Sequence, residues 1–217
     1  MQDSESDKKN IALVKLLVQL RDHIDIHRIL SINNNLFHGK LSAALVGYLV
    51  TSAQECIAIY ICKIYEDSAK HDLNSLPGII DSLPETPLSE KQKKAFELFG
   101  KKYGNHVTPS EARSYLKATL GLFRGIHSSS FGQFKEFRNT IGAHSASKAK
   151  IRMIPSDDEF EKFFQFAVDF YELVSRSLIN VGPATVPGKA GPGLIKLLES
   201  SGIVGIRPDY DVDSLSK

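Results

Sequence analysis

The chain is short of the features by which most enzyme classes announce themselves. It carries two cysteines, Cys56 and Cys62, in an apolar run and at neither a metal-ligand nor a redox spacing. They read as buried thiols of a protein in a reducing compartment. The formal net charge is +2 over 217 residues, so no global field marks a nucleic-acid binder and any basic surface has to be local. There is no glycine loop to cradle a phosphate, no nucleophile elbow, no internal repeat and no sustained strand alternation. His23 and His27 stand four apart without a glutamate between them or a third ligand nearby in sequence, so they read as a solvated face. No metal and no cofactor is expected. Met1–Asn10 is polar and mixed in charge, unlike a secretory signal. The longest apolar stretch, Leu41–Tyr65, is interrupted by Thr51, Ser52, Gln54 and Glu55, which argues for a central core helix over a membrane span. A cytoplasmic protein without a membrane partner is the expectation.

What is present is helical periodicity. With 42% hydrophobic and 24% charged residues, the composition is that of a globular protein, enough for one domain with a substantial core or a domain plus a tail. Ile11, Val14, Leu17, Val18, Leu20, Ile24 and Ile29 recur at three and four and predict a helix over about Lys8–Leu30. A second helix over about Leu41–Tyr65 is apolar around most of its circumference, so it is expected inside the bundle or in a subunit interface. Ser75 is a natural cap for a short helix with Pro77 in its first turn. Ser89–Lys102 reads as a charged arm with Leu88, Ala95, Phe96 and Phe99 inward. Thr108 and Pro109 look like the cap and first residue of a helix whose apolar stripe is Tyr115, Leu116, Leu120, Leu122 and Phe123. Ser128–Ser130 opens a helix anchored by Phe131, Phe134 and Phe137, and Asp157–Asp158 starts the last long one, with a wide aromatic face from Phe160 to Leu173. Residues 181–193 have a Gly/Pro linker composition, followed by a short docking helix over Leu194–Ser200 and an extended piece over Ile203–Ile206. The fold class is therefore all-α: a helical bundle over 1–180 with extra short helices, and a Gly/Pro-linked tail over 181–217.

The stretch with chemical content is Phe137–His144, which places Arg138 and Asn139 near a helix end and His144 just beyond. A guanidinium that keeps its charge, a carboxamide and an imidazole that titrates near neutrality suit phosphodiester chemistry. Spacing works against a site within one straight helix. Six residues turn an ideal helix by roughly 600°, leaving the two side chains about 120° apart and about 9 Å apart along the axis. Either Gly142 distorts the helix end, or a two-fold axis brings two copies together; the second is the favoured reading. The same Arg-x5-His spacing recurs at Arg21 and His27 without a following Asn, so the bare spacing is of low specificity. Lys135, Arg138, Lys148, Lys150 and Arg152 face a single acid, Glu136, across 135–152, a basic rim that RNA would require and that a solvated loop would also show.

An all-helical bundle carrying Arg-Asn-x4-His at the end of a core helix resembles the HEPN superfamily. The order Glu66-Asp67, then Ser75-Leu76-Pro77-Gly78-Ile79, then Glu111-Ala112-Arg113-Ser114-Tyr115-Leu116 is similar to its abortive-infection AbiU-like branch, over roughly residues 5–180. The resemblance implies an up-and-down helical bundle that forms a homodimer with both motifs facing across the axis and, in many members, metal-independent RNA cleavage. Arg138 would then bind phosphate, Asn139 would orient that arginine or the scissile phosphate, and His144 would transfer the proton. Lys135, Lys148, Lys150 and Arg152 would hold the RNA substrate, and an antitoxin or regulatory protein becomes a possible partner. Ser145 departs from the branch, which often has a charge shortly after the histidine; here the nearest is Lys148. The alternatives are a non-catalytic helical module that binds nucleotide, RNA or a partner protein, and a structural dimer in which Arg138 and His144 only cap helix ends.

Overall fold

A computed structural model describes residues 5–39, 42–67, 74–142, 154–179 and 190–207. Its described residues form eight α-helices: α1 (Glu5–Ile32), α2 (Ser42–Tyr65), α3 (Leu76–Ser82), α4 (Glu90–Lys102), α5 (Ala112–Ile126), α6 (Ser128–Gly142), α7 (Asp157–Val174) and α8 (Ala190–Ser200). A 3-10 turn over Asn34–Phe37 joins α1 to α2, and a π-helical turn, Ser175–Ile179, extends α7. The chain is an all-α bundle; among the described residues the one β feature is an isolated bridge between Pro87 and Glu111.

The core follows from the spacing of apolar residues. Leu13, Leu17, Leu20 and Ile24 of α1 are buried against α2 and α7. On α7, Phe160, Phe163, Phe166 and Phe170 are fully buried, each worth about 1.5–3 kcal/mol of transfer free energy. Phe131 and Phe134 of α6 meet Phe163, and Phe134 also meets Phe160. Ser75 caps α3 by accepting from the Gly78 amide, with Pro77 in the first turn, as the sequence predicts. Ser89 and Gln92 form a reciprocal capping box on α4.

Several expectations need correction. The cap of α5 is Glu111, whose carboxylate accepts from the Arg113 and Ser114 amides; the bridge to Pro87 keeps residue 111 extended, so Thr108 and Pro109 stay outside the helix. Ile11 and Leu122 face solvent because the stripes of α1 and α5 are narrower than their apolar content. The first half of α2 is not enclosed: Leu45 is 59% and Tyr48 69% exposed. That helix is long and apolar enough by composition to cross a membrane, yet its second half, with Ile57, Ala58, Ile61 and Cys62, lies in the core. α8 begins inside the expected linker, at Ala190, because Pro192 sits in a first turn whose amides have no intrahelical partner to lose. It docks on α1, with Leu194, Leu198 and Ile203 packed against Leu30, Phe37 and Val46. The predicted extended piece over 203–206 is instead the exit from α8: Gly202 at φ 81° lets the Ile203 amide reach the Leu198 carbonyl.

Candidate anion-binding site at the ends of helices 2 and 6

The site is built outward from Tyr65, the last residue of α2. Its ring is fully buried among Phe123, Phe131, Phe163 and Phe166, and its hydroxyl donates to the Phe163 carbonyl at 2.6 Å. The end of α2 is thereby fixed in three dimensions, and Glu66 and Asp67 leave it at defined positions. Both acids hold an arginine.

Arg138 reaches from α6 to Glu66, Nη1 to Oε1 at 2.5 Å. Its Nε and Nη2 donate to Oδ1 of neighbouring Asn139 at 3.4 and 3.2 Å. These bonds use one N–H on each of three nitrogens, so among the described residues one N–H on each terminal nitrogen is left for a ligand. With 30% of the side chain exposed, that fork is accessible to solvent. Burial works against the charge, but the Glu66 carboxylate and the nearby Cys62 outweigh it and raise the guanidinium pKa further. The Cys62 thiol is pushed up to about 11 by burial, against the pull of Arg138, so it stays protonated at neutral pH and is no nucleophile.

Arg124, in the last turn of α5, is the residue sequence reasoning missed. Its Nη1 meets Asp67 Oδ1 at 3.0 Å and its Nη2 donates to the Tyr65 carbonyl at 2.5 Å. Its guanidinium lies 5.3 Å from the centre of the Phe131 ring, over which Lys135 also places its Nζ at 4.5 Å. Arg124, Lys135 and Arg138, from two helices, thus form one cationic face around Glu66 and Asp67. The available signal was the adjacent acid pair directly after a core helix, which needs basic partners from elsewhere in the fold.

Of the predicted site residues, the structure brings together Lys135, Arg138 and Asn139. His144, Lys148, Lys150 and Arg152 lie outside the described residues. The second Arg-x5-His copy has a different environment. Arg21 is held by Asp25 and Glu161 and stacks on Phe164, while His27 sits between Asp157 and Gln54 and contacts Phe160 edge-on. His23 stacks on Tyr60 instead of sharing a ligand with His27, which is buried and no solvated face. Among the described residues no group of three metal-ligating side chains forms.

The arrangement can grip an anion with the planar fork of an arginine whose orientation is set by a carboxylate and a carboxamide. Comparison with known protein families, with characterised proteins and with solved structures finds no match. The chain is thus defined by its architecture, an all-α bundle with an oriented arginine at one end.

Proposed function

We propose that the protein is a metal-independent endoribonuclease of the HEPN type, working in defence or in a toxin-antitoxin pair as a homodimer with the Arg138, Asn139 and His144 sets facing each other. The observation that carries this reading is the Glu66–Arg138–Asn139 assembly: two motif residues on α6 are tied to the acid pair that the AbiU-like resemblance places after a core helix. RNA contains its own nucleophile, the ribose 2′-hydroxyl, so cleavage needs a base, an acid and stabilisation of the charged phosphorane. In this reading the imidazole of His144 takes or gives the proton, worth typically about 10²- to 10⁴-fold. Arg138 meets the phosphate oxygens with the N–H groups that no described residue accepts, and the product carries a 2′,3′-cyclic phosphate. The pairing surface is the α6 end of the bundle. The exposed apolar half of α2 is elsewhere: Tyr48 lies 18 residues before Glu66, or about 27 Å along the helix.

The second reading is a non-catalytic module that binds nucleotide, RNA or a partner protein at the same place. It is favoured by the charge balance, since Glu66 and Asp67 already neutralise Arg138 and Arg124. Incubating purified protein with single-stranded RNA or tRNA in chelator-containing buffer separates them. Nuclease function requires wild-type cleavage that His144→Ala and Arg138→Ala abolish while the oligomer persists. Retention of RNA without any turnover selects the binding module.

A further inference from the structure

A cleft of about 400 Å³ opens between α3 and α5, beside the same acid pair. That volume is within the usual range for small-molecule sites, about 300–1,000 Å³. Its floor is apolar, from Pro77 and Ile80 on α3 and Leu120 on α5. Gly121 lines it too, and a Cβ built there meets nothing within 4 Å, so a side chain at 121 has open space to enter. The rim is polar and of both signs. Asp81 stands on α3 and Lys117 on α5, both exposed, and Asp67 and Arg124 complete the rim. Arg124 holds Asp67 as Arg138 holds Glu66. Those acids are chain neighbours with Cα atoms about 3.8 Å apart, so the cleft and the Glu66–Arg138 pair share the end of α2.

We infer that this cleft is a nucleotide subsite selective for guanine, with the base over the Pro77–Ile80–Leu120 floor, Asp81 on its Watson–Crick edge, and the phosphate directed to Arg124 and Lys117. The chemistry of the rim selects the base. A carboxylate offers two acceptors and no donor, and guanine alone among the four RNA bases presents two adjacent donors, N1–H and the 2-amino group. Adenine and cytosine set one amino group beside a ring-nitrogen lone pair, which a carboxylate repels. Uracil has a single imide donor flanked by carbonyls. The apolar lining, chiefly Pro77 at the surface, accepts a ring face, and the two cations take the phosphate charge. The proposal rests on the reading of Arg138 as a phosphate-binding residue only for its extension to RNA; binding of the free nucleotide is independent of it.

The test is calorimetric titration of the full chain with GMP, with AMP, CMP and UMP as comparators. GMP is expected to bind about tenfold or more tightly than the others, a difference of about 1.4 kcal/mol. Gly121→Leu adds a bulky side chain to the cleft lining at a helix position where leucine is the better helix former. It should abolish binding with the melting midpoint unchanged or raised. Asp81→Asn exchanges an acceptor for a donor at an exposed position and should erase the preference for guanine. Arg138→Ala should retain GMP binding even where RNA cleavage disappears, so a failed nuclease reading and a failed cleft are told apart. Equal affinity for all four nucleotides, or GMP binding that survives Gly121→Leu, overturns the proposal.

Discussion

Replacing Arg138 with alanine separates the two jobs its side chain can have at the end of α6. As a structural tie it contributes one ion pair to Glu66, with the two side chains 30% and 28% exposed. Pairs in contact with solvent contribute about 0.2–1 kcal/mol. Removing it strands nothing, because Glu66 can rehydrate. A loss of about 1 kcal/mol lowers the melting midpoint of a chain this size by about 2–4 °C. As a group that stabilises a charged phosphorane, the same side chain is worth about 10²- to 10³-fold in rate, by analogy with the removal of one oxyanion donor. A cleavage assay on end-labelled RNA with chelator present, run beside thermal melting, therefore reads two effects of very different size. Arg138→Lys sharpens the comparison: it keeps the charge and loses the planar fork, so it should hold most of the stability and little of the rate. Glu66→Ala should also slow cleavage while the arginine remains, because the orienting carboxylate is gone. If Arg138→Ala melts a few degrees lower yet cleaves RNA at the wild-type rate, the phosphate-binding role is refuted and the tie is all that is left.

Phe163→Ala should cost about 3–5 kcal/mol, read as a fall in the urea midpoint, because the fully buried ring contacts Tyr65, Phe123, His127, Phe131 and Phe134; a loss under about 1 kcal/mol would contradict this packing. Gly100→Ala should destabilise by about 1–3 kcal/mol, since its Cβ would lie 1.9 Å from the Tyr115 hydroxyl oxygen and 2.9 Å from the Asn105 carbonyl oxygen. Adding Tyr115→Phe should return part of that loss. Acid stability should depend on Glu159: although burial opposes its charge, bonds from Lys162, Ser130 and His127 hold its carboxyl at about 2 against an ordinary 4.5. A lowered folded-state pKa gives stability that is present above pH 4.5 and is lost as pH falls through about 2. Glu159→Gln should flatten the decline of unfolding free energy across that window; an unchanged slope would count against the assigned bonds.

Much of the architecture was legible because helix periodicity is a local property. The stripes of α1 and α7, the Ser75 cap and the opening of α6 at Ser128 follow from neighbours three and four residues apart. The misplaced elements have non-local causes. The start of α5 was displaced because a bridge to Pro87 holds Glu111 extended, and α8 was partly hidden because its Gly/Pro-rich first turn is stabilised by docking on α1. Patterning alone could not separate the two halves of α2, which have similar apolar content and opposite burial.

The candidate site divides in the same way. Residue type and order already determined that Arg138 and Asn139 are side by side near a helix end and that Glu66 and Asp67 close a core helix, since these are facts of covalent succession. That Arg138 pairs with Glu66, that Arg124 pairs with Asp67, and that α3 and α5 leave a cleft beside Asp67 and Arg124 was decided by tertiary structure. Those groups are separated by up to 72 residues, and only burial of Tyr65 among the phenylalanines of α5, α6 and α7 brings them to one surface.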